Sequence, residues 1–379
     1  MTAARTATAQ QKPARIGIIG GGIFGATAAL MLGKHFDVTL FEQGDDILGG
    51  ATYANQYRHH GGYHYPRSTE TIREIKEAAP DFKRFYGSAI SSEFPSYYCI
   101  NAEGSRVTAE AFLKTCDRMG LPYVREYPDA EFLDASTVDL SVKTSEATYD
   151  YSRLKRLIRH RLKKERVTLK LKHEVTGARI GPQGEKVLTV LQSGRKKEYA
   201  FEYVINATYS QYNDFCRWLH FPLRRLEFRF KELVIVRIRT KPRVAVTIMD
   251  GPFATLVPIP GKRDLYTLGD VPLSIHKKTS RVRSASARNW KHPVSRWKEM
   301  FARCERWFPV LAKAQYVASM FIVLPIDVAS NEADARPTEC TYHGYGCWSI
   351  LSGKIITSVT TAKKLLAEVR ALEKKRATL

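Results

Sequence analysis

The sequence predicts an α/β protein in which a doubly wound parallel-sheet domain is interleaved with an α+β domain built on an antiparallel sheet. The segment RIGIIGGGIFGATAALMLGKHFDVTLFEQ (15–43) has the pattern of a buried strand, a helix and a second strand. Residues 226–270 instead alternate apolar and polar side chains, as antiparallel strands do. The length of 379 residues leaves room for roughly two to three domain-sized units.

The first half of the chain begins with this strand–helix–strand unit, in which IGIIG and DVTLFE are the strands and Gly25–Lys34 is the helix. A long loop rich in Gly, His and Tyr follows, and its composition is more typical of a working loop than of a linker. Periodicity then predicts a helix over Thr69–Tyr86, a strand over Ser96–Asn101 and a helix over Ala109–Met119.

The second half begins with a basic helix from about Tyr151, followed by the strands VTLKLK, KVLTVLQ and EYAFEYVINATYS. After Gln211 the antiparallel strands LEFRFKELVIVRIRT, RVAVTIMD, FATLVPIPG and DLYTLGDV are predicted. A helix near Val294–Trp307 and the strand VASMFIVLPID close this region. From about Ala335 the pattern indicates a strand, a glycine turn and a long final helix.

These elements predict two interleaved domains after a flexible N-terminus. The expected ranges are 1–14 for the N-terminus, 15–91, 151–213 and 335–379 for the first domain, and 92–150 and 214–334 for the second, substrate-binding domain.

Composition restricts the class of protein. The six cysteines are scattered without a C-x-x-C pair, so we expect reduced thiols in a cytoplasmic protein and no metal site. No apolar run reaches the about 18 residues of a membrane span. The terminal MTAARTATAQQKPA lacks acidic residues and could imitate a short organellar presequence, although a frayed terminus is the simpler interpretation.

The net charge of +22 has its densest run at Arg153–His173. On a helix, Arg156, Arg159, Lys163 and Lys164 share one face, and Leu154, Leu157, Ile158 and Leu162 share the other. A solvated helix face explains this pattern. An acidic partner is the alternative: an anionic small substrate, an acidic carrier protein or nucleic acid. No nucleic-acid-binding motif selects the last of these.

The glycines Gly20, Gly22 and Gly25 form a G-x-G-x-x-G motif between the first strand and helix. Such glycines allow a tight turn, a close approach to a pyrophosphate and close helix–strand packing. Glu42 ends the second strand, 17 residues after Gly25, where a carboxylate would accept from a ribose 2′-hydroxyl. The motif therefore predicts dinucleotide binding. A glycine-rich packing turn without a ligand is the alternative.

Four blocks of sequence, in order along nearly the whole chain, carry a family resemblance. They are RIGIIGGGIFGATAALML with FEQ, ATYANQYRHHGGYHY (51–65), the pair HEVTGAR and VINATYS, and SILSGKIITS (349–358). With these blocks the chain resembles the FAD-dependent oxidoreductases of the D-amino-acid oxidase and glycerol-3-phosphate dehydrogenase superfamily. The resemblance implies a Rossmann-like FAD-binding domain and FAD as the cofactor.

The resemblance also implies which residues contact FAD. These are Gly20, Gly22, Ile23, Phe24, Gly25, Glu42, Gln43, Gly50, Ala51, Thr52, His60, Val175, Ala207, Thr208, Gly353, Lys354 and Ile355. The start of the final helix can point N–H groups at the flavin C2 carbonyl, where charge accumulates on reduction. Lys354 could add a positive charge there, or it could be a solvated lysine at a helix start.

Four residues are candidates for the reaction itself. His60 matches the histidine of the family's His-x-Gly segment and could be a base, an orienting group, a flavin attachment point or a packed structural histidine. His59 and His64 are weaker candidates. Tyr65 and Arg67 are possible substrate contacts. Arg336 lies in an Arg-Pro pair like that of related oxidases, where it could clamp a carboxylate or form a structural salt bridge.

The favoured hypothesis is hydride transfer from an amine or hydroxy acid, expected to be anionic, to flavin N5. A flavin-dependent enzyme without net oxidation, such as a sugar mutase, is the second hypothesis, since FEQGDDILGGATY is similar to the mutase and amine-oxidase branches. A basic nucleic-acid-binding flavoprotein is the third. The expected partner is a small molecule, an acidic protein is a further possibility, and nucleic acid is disfavoured.

Overall fold

A computed structural model describes residues 12–280, 291–331 and 337–378. The helices within these ranges are α1 (Ile23–Leu32), α2 (Thr69–Tyr86), α3 (Ala109–Met119), α4 (Tyr151–Lys164), α5 (Tyr212–Trp218), α6 (Trp297–Cys304), α7 (Val328–Asn331) and α8 (Ser358–Ala377). The predicted bounds of α2 and α3 are confirmed.

The strands of the same ranges are β1 (Arg15–Ile19), β2 (Asp37–Glu42), β3 (Arg58–His59), β4 (Ile90–Ser91), β5 (Ser96–Asn101), β6 (Tyr123–Arg125), β7 (Val138–Thr144), β8 (Ala147–Tyr149), β9 (Thr168–Leu171), β10 (Glu174–Ile180), β11 (Lys186–Gln192), β12 (Arg195–Phe201), β13 (Tyr203–Asn206), β14 (Leu226–Arg237), β15 (Ala245–Met249), β16 (Ala254–Pro258), β17 (Leu265–Asp270), β18 (Ile275–Thr279), β19 (Gln315–Asp327), β20 (Glu339–Gly344) and β21 (Cys347–Leu351). The mixed α/β class is confirmed.

A six-stranded sheet forms one layer of the molecule, in the order β20-β21-β13-β1-β2-β9. All its pairs are parallel except β20–β21, which is antiparallel. Helix α1 is buried along its whole length because it lies against β1 and β2 and also contacts α4 and α8. Because β1, β2, β13 and β21 run parallel, their carboxyl ends meet at one edge of the sheet.

A nine-stranded sheet forms the second layer, in the order β18-β14-β17-β16-β15-β5-β7-β6, with β19 paired to β14. Its pairs are antiparallel except β15–β5. Two three-stranded sheets, β10-β11-β12 and β3-β8-β4, complete the fold. The strands of the six-stranded sheet all come from the ranges predicted for the first domain, and those of the nine-stranded sheet from the second. The boundaries themselves stay a prediction.

Three elements differ from the sequence expectation. Helix α1 begins at Ile23 rather than at Gly25, because Gly22 is extended and the Ile23 N–H donates to Thr52 Oγ1 at 3.2 Å. The predicted strand EYAFEYVINATYS is two strands, since β12 pairs with β11 whereas β13 pairs with β1. The segment after 335 forms a hairpin of β20 and β21 rather than one strand.

The basic helix α4 has the two faces that the sequence predicts. Leu154, Ile158 and Leu162 are buried, and Leu157 is half-buried. The cations Arg156, Arg159, Lys163 and Lys164 are exposed. Asp46 pairs with Lys155 at 2.5 Å and with Arg159 at 3.0 Å, so part of this charge is balanced within the chain. An acidic partner for the remaining charge stays a prediction.

The cysteines are free thiols, and all are buried except the half-buried Cys340. Burial raises the pKa of the Cys99 and Cys116 thiols to about 12. Within the described ranges, no three His, Cys, Asp or Glu side chains are grouped to hold a metal. In those ranges there is also no helix with the length and apolar character needed to cross a membrane.

Replacing Gly25 by alanine is expected to destabilise the fold. A Cβ at Gly25 would lie 1.9 Å from the Gly20 carbonyl oxygen, so α1 and the turn before it would have to separate. We expect the free energy of unfolding to fall by about 3 kcal/mol or more. Thermal unfolding of the variant measures this loss.

Gly177→Ala in β10 is the matched control, because its Cβ would make an ordinary contact of 3.6 Å with Thr189. A Gly25→Ala protein as stable as this control would contradict the packing argument.

Candidate active site

A cleft of about 570 Å³ lies between the carboxyl edge of the six-stranded sheet and strands β14 and β19. Ligands of open α/β sheets bind at such an edge. The cleft brings together residues from both ends and the middle of the chain. Those of the predicted cofactor contacts that line it are Gly20, Gly22, Ile23, Phe24, Glu42, Gln43, Gly50, Ala51, Thr52, His60, Val175, Ala207, Thr208, Gly353, Lys354 and Ile355. Gly25 does not line it.

The three glycines of the G-x-G-x-x-G motif have different structural requirements. Gly20 has φ +102°, and a Cβ there would lie 2.6 Å from the Ala207 carbonyl oxygen. A Cβ at Gly25 would likewise lie too close to backbone, at 1.9 Å from the Gly20 carbonyl oxygen. Gly22 has an ordinary φ of −67°, and the nearest atom to its Cβ position is Thr52 Oγ1 at 3.8 Å. The fold therefore requires Gly20 and Gly25, whereas Gly22 leaves open space in the cleft.

Glu42, at the end of β2, holds the turn between β1 and α1. Its Oε2 accepts a hydrogen bond from the Gly21 N–H at 2.7 Å, and its Oε1 accepts one from the Gly44 N–H at 2.7 Å. The side chain is half-buried and lines the cleft. Each carboxylate oxygen keeps a further lone pair, so Glu42 can still accept a hydrogen bond from a ribose hydroxyl.

The segment after β13 closes the other side of the same turn. The Ala207 N–H donates to the Ile19 carbonyl at 2.8 Å. The Thr208 hydroxyl and N–H both donate to Asn206 Oδ1, at 2.6 Å and 3.2 Å. These bonds fix Ala207 and Thr208 at the cleft with defined orientations.

Lys354 is buried rather than solvated, with 6% of its surface exposed. Its Nζ lies 4.2 Å from the centre of the Tyr65 ring, in a cation–π contact. Tyr65 is also buried and lines the cleft. The interpretation of Lys354 as a surface lysine is therefore wrong, because its charge is held inside the molecule.

His60 lies in the cleft next to this lysine. Burial, and then the charge of Lys354, hold the pKa of His60 well below its usual 6.5. Its Nδ1 is buried and has no hydrogen-bond partner among the described residues; the Glu146 carboxylate lies 3.9 Å away. The imidazole is therefore neutral at pH 7 and can accept a proton.

Sequence patterns did not indicate the wall of the cleft that the nine-stranded sheet provides. Strands β14 and β19 contribute Lys231, Leu233, Ile322 and Leu324 to the cleft. Lys231 and Ile322 are register partners, so they share a face of the sheet. These residues belong to no motif, because an alternating strand pattern does not reveal which of its faces meets another domain.

The other predicted reaction residues are placed as follows. His64 lines the cleft, and its ring centre lies 6.3 Å from that of His60. His59 packs on Phe82, and burial lowers its pKa to about 4. Arg67 forms an ion pair with Asp250 and does not line the cleft, so we do not include it among the proposed substrate contacts. Arg336 lies outside the described residues.

The residues present fit FAD, the cofactor that the resemblance implies. The open space at Gly22 matches a diphosphate in close approach to the backbone. Gly22, Ile23 and Phe24 place the N-terminal end of α1 at the cleft, and this end favours negative charge. The same features argue against a glycine turn that serves packing alone.

Comparison with known proteins gives similar sequences and similar folds. The chain is 26% identical over 277 residues to the FAD-dependent monooxygenase FPY4 of Fusarium mangiferae, and the matched region covers 72% of this chain and 69% of that protein. Its fold is similar to glycine oxidase from Geobacillus kaustophilus, with a TM-score of 0.72 and 17% identity over 94% and 95% of the two chains.

A second similar structure is L-alpha-glycerophosphate oxidase from Mycoplasma pneumoniae with FAD bound. The TM-score is 0.74 and the identity 12%, over 94% of each chain. The sequence model of the DAO family, FAD dependent oxidoreductase, matches residues 15–368. The match spans nearly the whole chain and includes every block that forms the cleft. This protein belongs to the DAO family of FAD-dependent oxidoreductases, and FAD is its cofactor.

Proposed function

We propose that this enzyme oxidises an anionic small molecule by removing hydride from a carbon that bears an amine or hydroxyl group. The observation that carries the proposal is the neutral, half-buried imidazole of His60, which lines the cleft near the charge of Lys354. A neutral imidazole can take the proton of the amine or hydroxyl. A nearby cation favours a negatively charged substrate.

FAD supplies the hydride acceptor when it is bound. In the proposed arrangement Gly22 and the first residues of α1 hold its diphosphate, and Glu42 holds the ribose. Val175, Ala207 and Thr208 flank the adenosine and diphosphate portions. His60, Lys354 and Ile355 contact the flavin end.

The distribution of charge in the cleft supports an anionic substrate. The acids Glu42 and Glu174 line it near β2 and β10, in the part assigned to the adenosine. Arg58 and Lys354 act on His60 by lowering its pKa, and Lys231 also lines the cleft. Leu233, Ile322 and Leu324 add apolar side chains to the lining. This combination suits a carboxylate or phosphate group attached to an apolar body.

Two reactions of an FAD-dependent oxidoreductase remain to be distinguished. The relative from Fusarium mangiferae is named a monooxygenase, which makes oxygen insertion the second candidate. Family membership favours either reaction over a mutase or a nucleic-acid-binding flavoprotein.

An anaerobic substrate panel tests the proposal. Amino acids, hydroxy acids and phosphorylated alcohols are mixed with the oxidised holoenzyme without oxygen, and the flavin absorbance is followed. We expect one anionic class to bleach the flavin by itself. If no compound bleaches it, and substrate is consumed only with both oxygen and an external reductant, oxygen insertion replaces our proposal.

Replacing Gly22 by valine should yield folded protein without FAD. The nearest atom to a Cβ at Gly22 is Thr52 Oγ1 at 3.8 Å, so we expect the valine to occupy the space assigned to the diphosphate rather than to disturb the turn. The flavin-to-protein absorbance ratio measures occupancy, and circular dichroism against flavin-free wild type checks the fold. Full FAD occupancy in this variant would contradict the assignment of the diphosphate to the space at Gly22.

Replacing His60 by glutamine should leave FAD bound and lower kcat by about 10²–10⁴-fold, the usual contribution of a positioned base. Because the folded-state pKa of His60 is lowered, its neutral form persists as pH falls below 6.5. With a hydroxy-acid substrate, which does not itself titrate in this range, the wild-type kcat/KM should therefore be flat from pH 6.5 to 8 and fall only at lower pH, and this acid limb should be absent in the variant.

His160→Gln is the control for this change, since His160 is exposed on α4 and does not line the cleft. Wild-type turnover in His60→Gln would assign His60 to packing.

A further inference from the structure

A buried ion pair lies next to the loop that follows β3 and carries His60, called the His60 loop below. Glu146 and Arg58 have side-chain exposures of 2% and 6%, and their charged groups are 3.3 Å apart. Arg58 Nη1 also donates to the Tyr98 hydroxyl at 2.9 Å, and its Nη2 donates to Thr247 Oγ1. The pair therefore links β3, in the loop region, to strands β5 and β15 of the nine-stranded sheet.

The two oxygens of Glu146 face different partners. Oε1 accepts from the Tyr98 hydroxyl at 2.7 Å and from Arg58. Burial and the facing carboxylate raise the pKa of Tyr98 well above its usual 10, so the phenol keeps the proton that it donates. Oε2 accepts from the Gly61 N–H at 2.8 Å and is the atom that lies 3.9 Å from His60 Nδ1. One oxygen thus anchors the sheet side and the other faces the histidine.

We propose that Glu146 is a positioning residue for His60: it fixes the His60–Gly61 backbone and keeps the imidazole proton on Nδ1, so that Nε2 is the atom that accepts the substrate proton. This inference rests on the proposed function of His60 as the base. It extends that function to a residue in the connection between β7 and β8 that does not line the cleft itself.

The tautomer follows from which nitrogen has an acceptor within reach. A neutral imidazole carries one N–H, and that proton stays on the nitrogen that faces a hydrogen-bond acceptor. His60 Nδ1 faces the Glu146 carboxylate at a distance that a small movement of the ring shortens to a hydrogen bond. Hydrogen bonds of this kind are often long before substrate binds.

The charged and titratable groups around His60 oppose its protonation, with one exception. Lys354, His64, Arg58 and His59 each lower its pKa, and Glu146 is the one anion in contact distance among the described residues. Tyr65 packs against the ring at 5.9 Å between centres. Glu146 is therefore the group that can stabilise the imidazolium formed when His60 accepts a proton.

The proton and the hydride leave the substrate by separate routes. The N–H or O–H bond breaks, its proton goes to His60 Nε2, and its electron pair forms the new C=N or C=O bond. The C–H bond breaks with both electrons, and FAD, when bound, would accept the hydride. The imidazolium then returns the proton to solvent, which restores neutral His60, and an external electron acceptor would be needed to reoxidise the reduced flavin.

A double variant, Arg58→Met with Glu146→Gln, distinguishes a positioning role of Glu146 from a role that only neutralises Arg58. Glutamine has a single acceptor oxygen, so Glu146→Gln cannot serve both the Arg58–Tyr98 side and the Gly61–His60 side. It also leaves the Arg58 charge buried without its partner, which is destabilising. Arg58→Met combined with Glu146→Gln removes both charges. If Glu146 only neutralises Arg58, the double variant recovers the turnover of Arg58→Met.

The first readout needs no substrate. In protein labelled with ¹⁵N-histidine, the ring nitrogen shifts of His60, identified by their loss in His60→Gln, report the tautomer at pH 7. We expect the Nδ1–H form in wild type and in Arg58→Met, and a mixture or the Nε2–H form in both proteins that carry Glu146→Gln. An Nε2–H tautomer in wild type would overturn the inference.

The second readout is turnover with the substrate found in the anaerobic panel. We expect Glu146→Gln to lower kcat about 10²-fold in both the wild-type and the Arg58→Met background, with KM within about threefold. Glu126→Gln is the matched control, because Glu126 also accepts a tyrosine hydroxyl, from Tyr97 at 2.6 Å, but does not line the cleft or contact His60. Recovery of turnover in the double variant would overturn the inference.

The two readouts separate failure of this inference from failure of the proposed function. If the tautomer depends on Glu146 as expected but His60→Gln turns over normally, then His60 is not the base and the proposed function fails. If His60→Gln loses turnover but the tautomer is the same with Glu146→Gln, only the role of Glu146 fails.

Discussion

The contact between backbone segments at the turn from β1 to α1 is the constraint on which the rest of the structure depends. Gly25 sits against the Gly20 carbonyl, and Gly20 in turn sits against the Ala207 carbonyl, so no side chain fits at either position. This contact brings the ends of β1 and β13 together under the N-terminus of α1. Because α1 is held so close to the sheet, every one of its residues is buried.

The cleft also depends on a second sheet, which the turn does not determine. Strands β14 and β19 form one wall of the cleft, and the Arg58–Glu146 pair joins the loop that carries His60 to the same sheet through Tyr98 and Thr247. A buried ion pair is expensive to desolvate and is often replaceable by apolar side chains. Because the Arg58–Glu146 pair lies next to His60, it fits a role in orienting the His60 side chain better than a role in stabilising the fold.

Much of the fold could be predicted from the sequence because local periodicity determines it. Helices α2 and α3 begin and end at the predicted residues, since each has a clear apolar period between polar ends, and strand β5 does so as an unbroken buried run. The errors occur where two sheets compete for one segment. The run before Asn206 has a continuous strand pattern, yet it divides at Glu202 because β12 and β13 belong to different sheets. Periodicity carries no information about which partner a strand takes.

The sequence by itself determined the dinucleotide turn, the family and the segments on the six-stranded-sheet side of the cleft, because glycine spacing and strand ends are local features with a fixed geometric meaning. Only the tertiary structure decided that Gly22 is the glycine that the fold does not require. It also decided that Lys354 is buried against Tyr65 and that Glu146 lies behind His60. The reason is physical: burial and charge pairing depend on residues that are distant in the chain, and Glu146 is 86 positions from His60 with no motif to mark it.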